Sequence, residues 1–226
     1  MKKNILLTGD SKGLGFKIRE ILKDHNYNVI GISRNSNDIK FDLTNYDSIK
    51  ELYFKKIKPV GPIHGFINNA AFAYDDIITN LNHSKLTQMY NVNVFSPMML
   101  TKYMIRDMIL NKTKGSIVHV SSISVHTGYK GLAMYASTKG AIEAFSKNSS
   151  REWGRMGIRS NVVCPGFMET DMSSSLSEKD KNKIFNRNSM FKLLEKDDVA
   201  NTIRFLISSE SNGITGEVIH VDNGTI

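Results

Sequence analysis

A chain of 226 residues, 40% hydrophobic and 23% charged, is long enough to bury a substantial core and has the composition of an ordinary globular protein, neither disordered nor fibrous. Its formal charge of +8 favours anionic ligands in general, yet no basic run of five or more residues and no aromatic-interleaved basic stripe occurs, so nucleic acid is not an expected partner. No apolar run approaches the roughly 18 residues of a membrane span, and Ile5–Leu7 behind the opening lysines is too short for a signal peptide. The single cysteine, Cys164, excludes an internal disulfide and fits a reducing cytoplasm. The six histidines lack metal-ligand spacing, and no metal is expected.

In chain order, a strand over Asn4–Thr8 runs through a glycine-rich turn into a helix over Leu14–His25, whose Leu14, Ile18, Ile21 and Leu22 share one face. A second strand covers Asn28–Ser33 and a third Asp38–Asp42, separated only by "RNSN". Parallel neighbours normally need a crossover of about a dozen residues. Either a tight loop replaces the usual helix here, or the third strand is not a regular parallel one. Thr44 and Asp47 have capping-box spacing before a helix over Asp47–Lys58. Strand Ile63–Asn68, helix Ser84–Asn111, strand Ser116–Ser121, helix Met134–Met156, strand Arg159–Cys164, helix Lys196–Ser209 and strand Glu217–Val221 follow. This alternation predicts an α/β fold with a parallel sheet covered on both faces. Nothing divides it, so a single domain over residues 1–226 is expected.

The turn after the first strand reads "TGDSKGLG". A strand feeding a helix through such a turn aims backbone N–H groups and a helix N-terminus at a pyrophosphate. Its T-G-x-x-x-G-x-G spacing resembles the dinucleotide turn of the short-chain dehydrogenases/reductases, in their compact branch. Further motifs are similar to that family's in the same order: Asp42–Leu43, "NNAA" at Asn68–Ala71 with Ala71 replacing a glycine, "NVFS" from Asn93, "VSS" ending at Ser122, Tyr135 with Lys139, and "CPGFMETDM" from Cys164. The C-terminal "ITGEVIHVDNG" resembles the last strand of the 3-oxoacyl-carrier-protein reductases. The likeness runs from about Asn4 to Gly224. It implies a Rossmann-type, doubly wound, mainly parallel seven-stranded sheet with a shortened connection between strands 2 and 3. The implied cofactor contacts are Gly9, Ser11, Lys12, Gly13, Leu14, Gly15, Arg34, Asp42, Leu43, Asn69, Ala70, Ala71, Tyr135, Lys139, Pro165, Gly166, Met168 and Thr170.

Two segments offer tyrosine and lysine four apart with a serine thirteen residues upstream of the tyrosine: Ser33, Tyr46, Lys50 and Ser122, Tyr135, Lys139. The first has an adequate structural reading as the opening turn of a solvated helix. In the second, Ser122 closes a strand at the end where open α/β sheets bind ligands, and Lys139 shares a helix face with Tyr135. By the resemblance, Tyr135 exchanges a proton with the substrate oxygen, Ser122 stabilises that oxygen, and Lys139 holds the ribose and lowers the phenol's pKa. Asn93, placed by a helix irregularity, is expected to hold a water linking Lys139 to solvent.

The second strand ends in Arg34 with no acid there, and Lys12 adds a second cation, so NADP(H) is preferred to NAD(H) as cofactor. Ser173–Phe191 is expected to cover the substrate, and Phe167, Met168, Leu176, Phe185, Met190 and Phe191 line an apolar pocket or belong to the core. The expected substrate is a small-molecule ketone or its alcohol, most like a 3-oxoacyl thioester borne on a carrier protein, with Lys112 and Lys114 as candidate carrier contacts. Ser174 stands where those reductases often have arginine, and Val125 where a glycine often follows the serine; His126 follows and is a candidate substrate contact. A nucleotide-linked sugar or secondary-metabolite ketone is the alternative, then a non-catalytic NADP-sensing regulator. The resemblance also implies a homodimer or homotetramer, packing through Asn93–Leu110 and Met134–Trp153, with a further tetramer contact at the final strand.

Overall fold

The computed structural model describes residues 2–169 and 186–226. Thr170, Ser174, Leu176 and Phe185, and with them most of the expected cover, lie outside the described residues. Within these, strands β1 (Asn4–Thr8), β2 (Asn28–Ser33), β3 (Ile39–Lys40), β4 (Ile63–Asn68), β5 (Ser116–Val120), β6 (Arg159–Pro165) and β7 (Val218–Val221) form one sheet in the order β3-β2-β1-β4-β5-β6-β7. Every pairing is parallel. The helices are α1 (Gly13–Asp24), α2 (Ile49–Leu52), α3 (His83–Tyr90), α4 (Ser96–Leu110), α5 (Ser124–Thr127), α6 (Ala133–Trp153) and α7 (Lys196–Ile207).

Strand side chains alternate between two cores, as the two-residue period of a pleated strand requires. Ile5 and Leu7 join Ile18 of α1 and Val199 and Ile203 of α7 on one face. Leu6, between them, joins Phe66, Ile49 of α2 and Leu100 and Met104 of α4 on the other. Burying each such side chain contributes about 1.5–3 kcal/mol, and covering both faces is what makes the strands continuously apolar.

The short connection after β2 turns out to be a tight loop into a regular but two-residue parallel strand, with Ile32 opposite Ile39 and Ser33 opposite Lys40. A polar staple takes the place of a helix. The Arg19 guanidinium of α1 lies 2.6 Å from Asp10 and 2.7 Å from Asp38. Asp38 accepts from the Gly31 N–H at 2.8 Å, and Ser36 Oγ donates to Asp10 at 2.9 Å. A side chain at residue 31 would collide with this assembly, its Cβ falling 2.0 Å from Asp10 Oδ2.

Two expected helices are less regular than their periodicity implies. Residues 46–60 form successive 3₁₀, α, π and 3₁₀ turns. The predicted capping box does not form: Asn45 precedes the first turn without a side-chain cap, and Asp42 Oδ1 instead accepts the Thr44 N–H. The long helix at 84–111 is interrupted by a π turn at Asn91–Phe95. Pro97, in the first turn of α4, has no N–H to give the carbonyl of Asn93 four residues back. That missing partner explains the widened turn.

The chain leaves β1 toward β2 and β3 on one side, then crosses to β4 and beyond on the other. A crevice opens at such a reversal, beyond the carboxyl ends of β1 and β4. The glycine turn and the "NNAA" segment meet there.

Candidate active site

A cleft of about 860 Å³ occupies this crevice. Its lining includes Gly9, Ser11, Lys12, Gly13, Leu14, Gly15, Arg34, Asp42, Leu43, Asn69, Ala70, Ala71, Ser122, Tyr135, Lys139, Pro165, Gly166 and Met168. Every predicted catalytic and cofactor-contacting residue within the described chain is thus in one cleft, except Asn93, which is buried behind it. A smaller cavity near Lys3 and Lys114 lies at the opposite ends of the strands.

At one end the backbone forms a cradle. Gly9 is left-handed (φ 73°), and a Cβ on it would meet Ala70 at 2.9 Å. A Cβ on Gly15 would fall 1.9 Å from the carbonyl oxygen of Gly9, so only glycine allows this approach of helix to strand. Lys12, at the N-cap of α1, makes no side-chain cap, and the first turn carries no acid. The first N–H groups of α1 are therefore left for an anionic ligand. Thr8 Oγ1 accepts from the N–H groups of Asn69 and Ala70, both at 3.1 Å, while Asn69 Nδ2 donates to the carbonyls of Thr8 and Gly9. These bonds lock "NNAA" to the glycine turn. The cradle, the open helix end and exposed Arg34 and Lys12 at the rim fit a dinucleotide with an added phosphate.

At the other end, β5 delivers Ser122 and the first turns of α6 deliver Tyr135 and Lys139. Ser122 Oγ accepts the Ser124 N–H at 3.2 Å, which orients the hydroxyl locally. Lys139 is 3% exposed; its Nζ donates to the Val120 carbonyl at 2.8 Å and lies 5.6 Å from the Tyr135 ring centroid. Burial pushes the ammonium down to about 8, against the opposing charges of Cys164 and Glu143. The Tyr135 phenol is pushed up, first by desolvation and then by Asp75 and Cys164. The Lys139 ammonium, four residues on, is turned onto the Val120 carbonyl.

The Asn93 side chain is held within the fold. Its Oδ1 accepts the Phe72 N–H at 2.8 Å, and its Nδ2 donates to Phe72 O and to Thr138 Oγ1. Both amide hydrogens are engaged. Pro97 has no N–H to give the Asn93 main-chain carbonyl.

Several further expectations change. Tyr46 packs its ring 5.4 Å from Phe95 and does not line the cleft, so its setting is half-buried packing and not a solvated turn. His126 turns away from the cleft toward Glu143 and His220. Lys112 and Lys114 lie before β5, at the opposite end of the sheet from Ser122. Phe167 and Met168 line the cleft, whereas Met190 and Phe191 are exposed and join neither core cluster among the described residues. Asp75, Gln88, Tyr129 and Lys130 line it unforeseen. They lie on loops and a helix face with no motif to single them out.

A doubly wound parallel sheet with a glycine cradle at its reversal, and serine, tyrosine and lysine across the same cleft, defines a dinucleotide-dependent oxidoreductase of Rossmann type. Residues 11–225 match the family model described as Enoyl-(Acyl carrier protein) reductase, and the chain belongs to this short-chain dehydrogenase/reductase family. The chain is 33% identical to the 3-oxoacyl-[acyl-carrier-protein] reductase FabG of Buchnera aphidicola, covering 99% of this chain and 97% of the relative. Identity to FabG of Escherichia coli is 31%, over 97% and 95%. Among solved structures, ElxO with NADP bound superposes with a TM-score of 0.90 at 29% identity, covering 100% of this chain and 99% of that one. A 4-hydroxyisoleucine dehydrogenase at 23% identity and TM-score 0.92 shares the fold.

Proposed function

We propose that this protein, as one domain over residues 1–226, is an NADPH-dependent reductase that converts a ketone to a secondary alcohol reversibly, with a 3-oxoacyl thioester as its substrate class. The observation that carries this is the convergence of Ser122, Tyr135 and Lys139 on the cleft whose far end is the glycine cradle. The FabG relatives and the NADP-bound ElxO support substrate class and cofactor respectively.

Bound NADPH would supply the hydride to the carbonyl carbon. Tyr135, protonated in the reductive direction, gives its phenolic proton to the carbonyl oxygen. The Ser122 hydroxyl donates to the same oxygen and stabilises its developing charge. Lys139 holds the ribose, the α1 turn the pyrophosphate, and Arg34 with Lys12 the 2′-phosphate. Protons are resupplied to Tyr135 from solvent, through a water held at Asn93 and then Lys139. A small-molecule ketone is thus the reacting group, whether free or carried on a protein. Among the described residues no helix is long and apolar enough to cross a membrane; the reading sets the enzyme in the cytoplasm as a homodimer or homotetramer.

The test is a panel of a 3-oxoacyl thioester, simple diketones and keto-sugars, followed by loss of NADPH absorbance. On the accepted substrate Tyr135→Phe is expected to lose about 10²–10⁴-fold in turnover, with Tyr46→Phe unchanged. Comparable losses at both tyrosines refute the assignment. Equal catalytic efficiency with NADH refutes the roles given to Arg34 and Lys12.

A further inference from the structure

One cluster lies outside the cleft. His126 of α5, Cys164 of β6 and His220 of β7 bring two imidazole nitrogens and a thiol sulfur within 4.8 Å of one another. Cys164 is fully buried and stands in direct register with His220 across the β6–β7 pair. The two imidazoles meet nearly edge to face, 4.9 Å between centroids and 82° apart. Beside His126 is Glu143 of α6, with carboxylate oxygens 3.3 and 3.2 Å from Nε2. Glu143 in turn accepts a hydrogen bond from Ser121 Oγ.

The donor set is chemically selective. Two imidazoles and a thiolate suit a borderline-soft divalent ion, whereas magnesium and calcium want oxygen ligands. A carboxylate on one ring nitrogen of His126 leaves the other as a lone-pair donor, the arrangement that orients metal-bound histidines. Bonds of about 2.0–2.3 Å to tetrahedral zinc put ligand atoms roughly 3.5 Å apart. Both histidines are exposed, so rotation of their rings can close the remaining distance. The spacing is invisible in the sequence because the ligands come from three elements joined by sheet register.

We propose that His126, Cys164 and His220 form a binding site for zinc or a similar divalent ion, with Glu143 orienting His126 and a fourth position open to solvent. On binding, the Cys164 S–H bond breaks, a sulfur–metal bond forms and the proton passes to water; no group changes oxidation state. The ion would tie α5, which follows Ser122 directly, to β6 and β7, and so brace the loop that presents the catalytic hydroxyl. This inference does not depend on the substrate reading.

The test uses the full-length protein, stripped with a chelator and titrated with Co²⁺ alone. The expected result is one cobalt per chain, a thiolate-to-cobalt charge-transfer band in the near ultraviolet, strong visible absorption of a four-coordinate ion and a higher melting temperature. Losing an outer-shell partner costs about 10–100-fold in affinity, so Glu143→Gln is expected within that range and His220→Ala beyond it. Cys164→Ser is expected to abolish the charge-transfer band. Should that buried variant fail to fold, His220→Ala, at an exposed position, decides by itself. Absence of the band in the parent protein overturns the proposal. So does cobalt binding that is unchanged in His220→Ala, since the ion then sits elsewhere on the surface.

Discussion

Replacing Arg19 by methionine tests the staple that stands in for the missing crossover helix. Asp10 is 3% exposed and has one guanidinium contact at 2.6 Å and one hydroxyl donor, Ser36. Its Oδ1 already has no hydrogen-bond partner. Without Arg19 the Asp10 carboxylate keeps only the Ser36 hydroxyl, and the Asp38 carboxylate keeps the Gly31 N–H but loses its counter-charge. Breaking a buried pair in this way costs about 3–5 kcal/mol, because the surviving charge stays desolvated. In a chain of this size each kcal/mol moves the melting temperature by about 2–4 °C, so a fall of about 6–20 °C is expected by calorimetry. The double variant Arg19→Met with Asp10→Ala removes the stranded charge and is expected to melt higher than Arg19→Met alone. Ser36 lies two residues from Arg34, so the single variant is also expected to raise KM for NADPH more than it lowers kcat. A fall below about 2 °C, or a double variant less stable than the single, would refute the reasoning.

Lys139→Met addresses the buried ammonium. Burial lowers it from 10.5 to about 8, so between those values the unfolded chain binds more protons than the folded one, and stability gains with rising pH. Below about 8 both states carry the proton and the burial cost, about 3 kcal/mol, is felt in full. The variant is expected to be inactive, and the parent's melting temperature relative to it should climb from pH 7 to pH 10; a constant difference would contradict this. Gly15→Ala places a methyl 1.9 Å from Gly9 O and 2.6 Å from Asn69 Nδ2. It is expected to abolish NADPH binding measured by fluorescence, and an unchanged Kd would show that the cradle does not hold the cofactor.

Much of the site was legible because its motifs sit at strand ends, and a parallel sheet collects strand ends at one edge. The glycine turn, "NNAA" and Ser122 fall into one cleft for that reason, and α6, which follows β5, brings the Tyr135–Lys139 pair over it. Position also separated Tyr135 from Tyr46, whose identical spacing occurs on a segment that packs against Phe95. The interruption at Asn91–Phe95 was written in Pro97, a residue that periodicity alone passes over. The capping box at Thr44 failed because Asp42 captured the Thr44 N–H first, a contest between neighbours that spacing does not decide.

By itself the amino-acid order determined the alternation of strands and helices, the doubly wound parallel sheet and the family, since these rest on local period and on motifs read along the chain. Only the tertiary structure decided that Arg19 joins Asp10 to Asp38, that Lys139 turns to the Val120 carbonyl while the Tyr135 phenol is pushed up, and that Cys164 meets two histidines. Each depends on which residues of separate elements come within a few ångströms and how much water they lose. Both are set by strand register and helix packing, and no spacing along the chain encodes them.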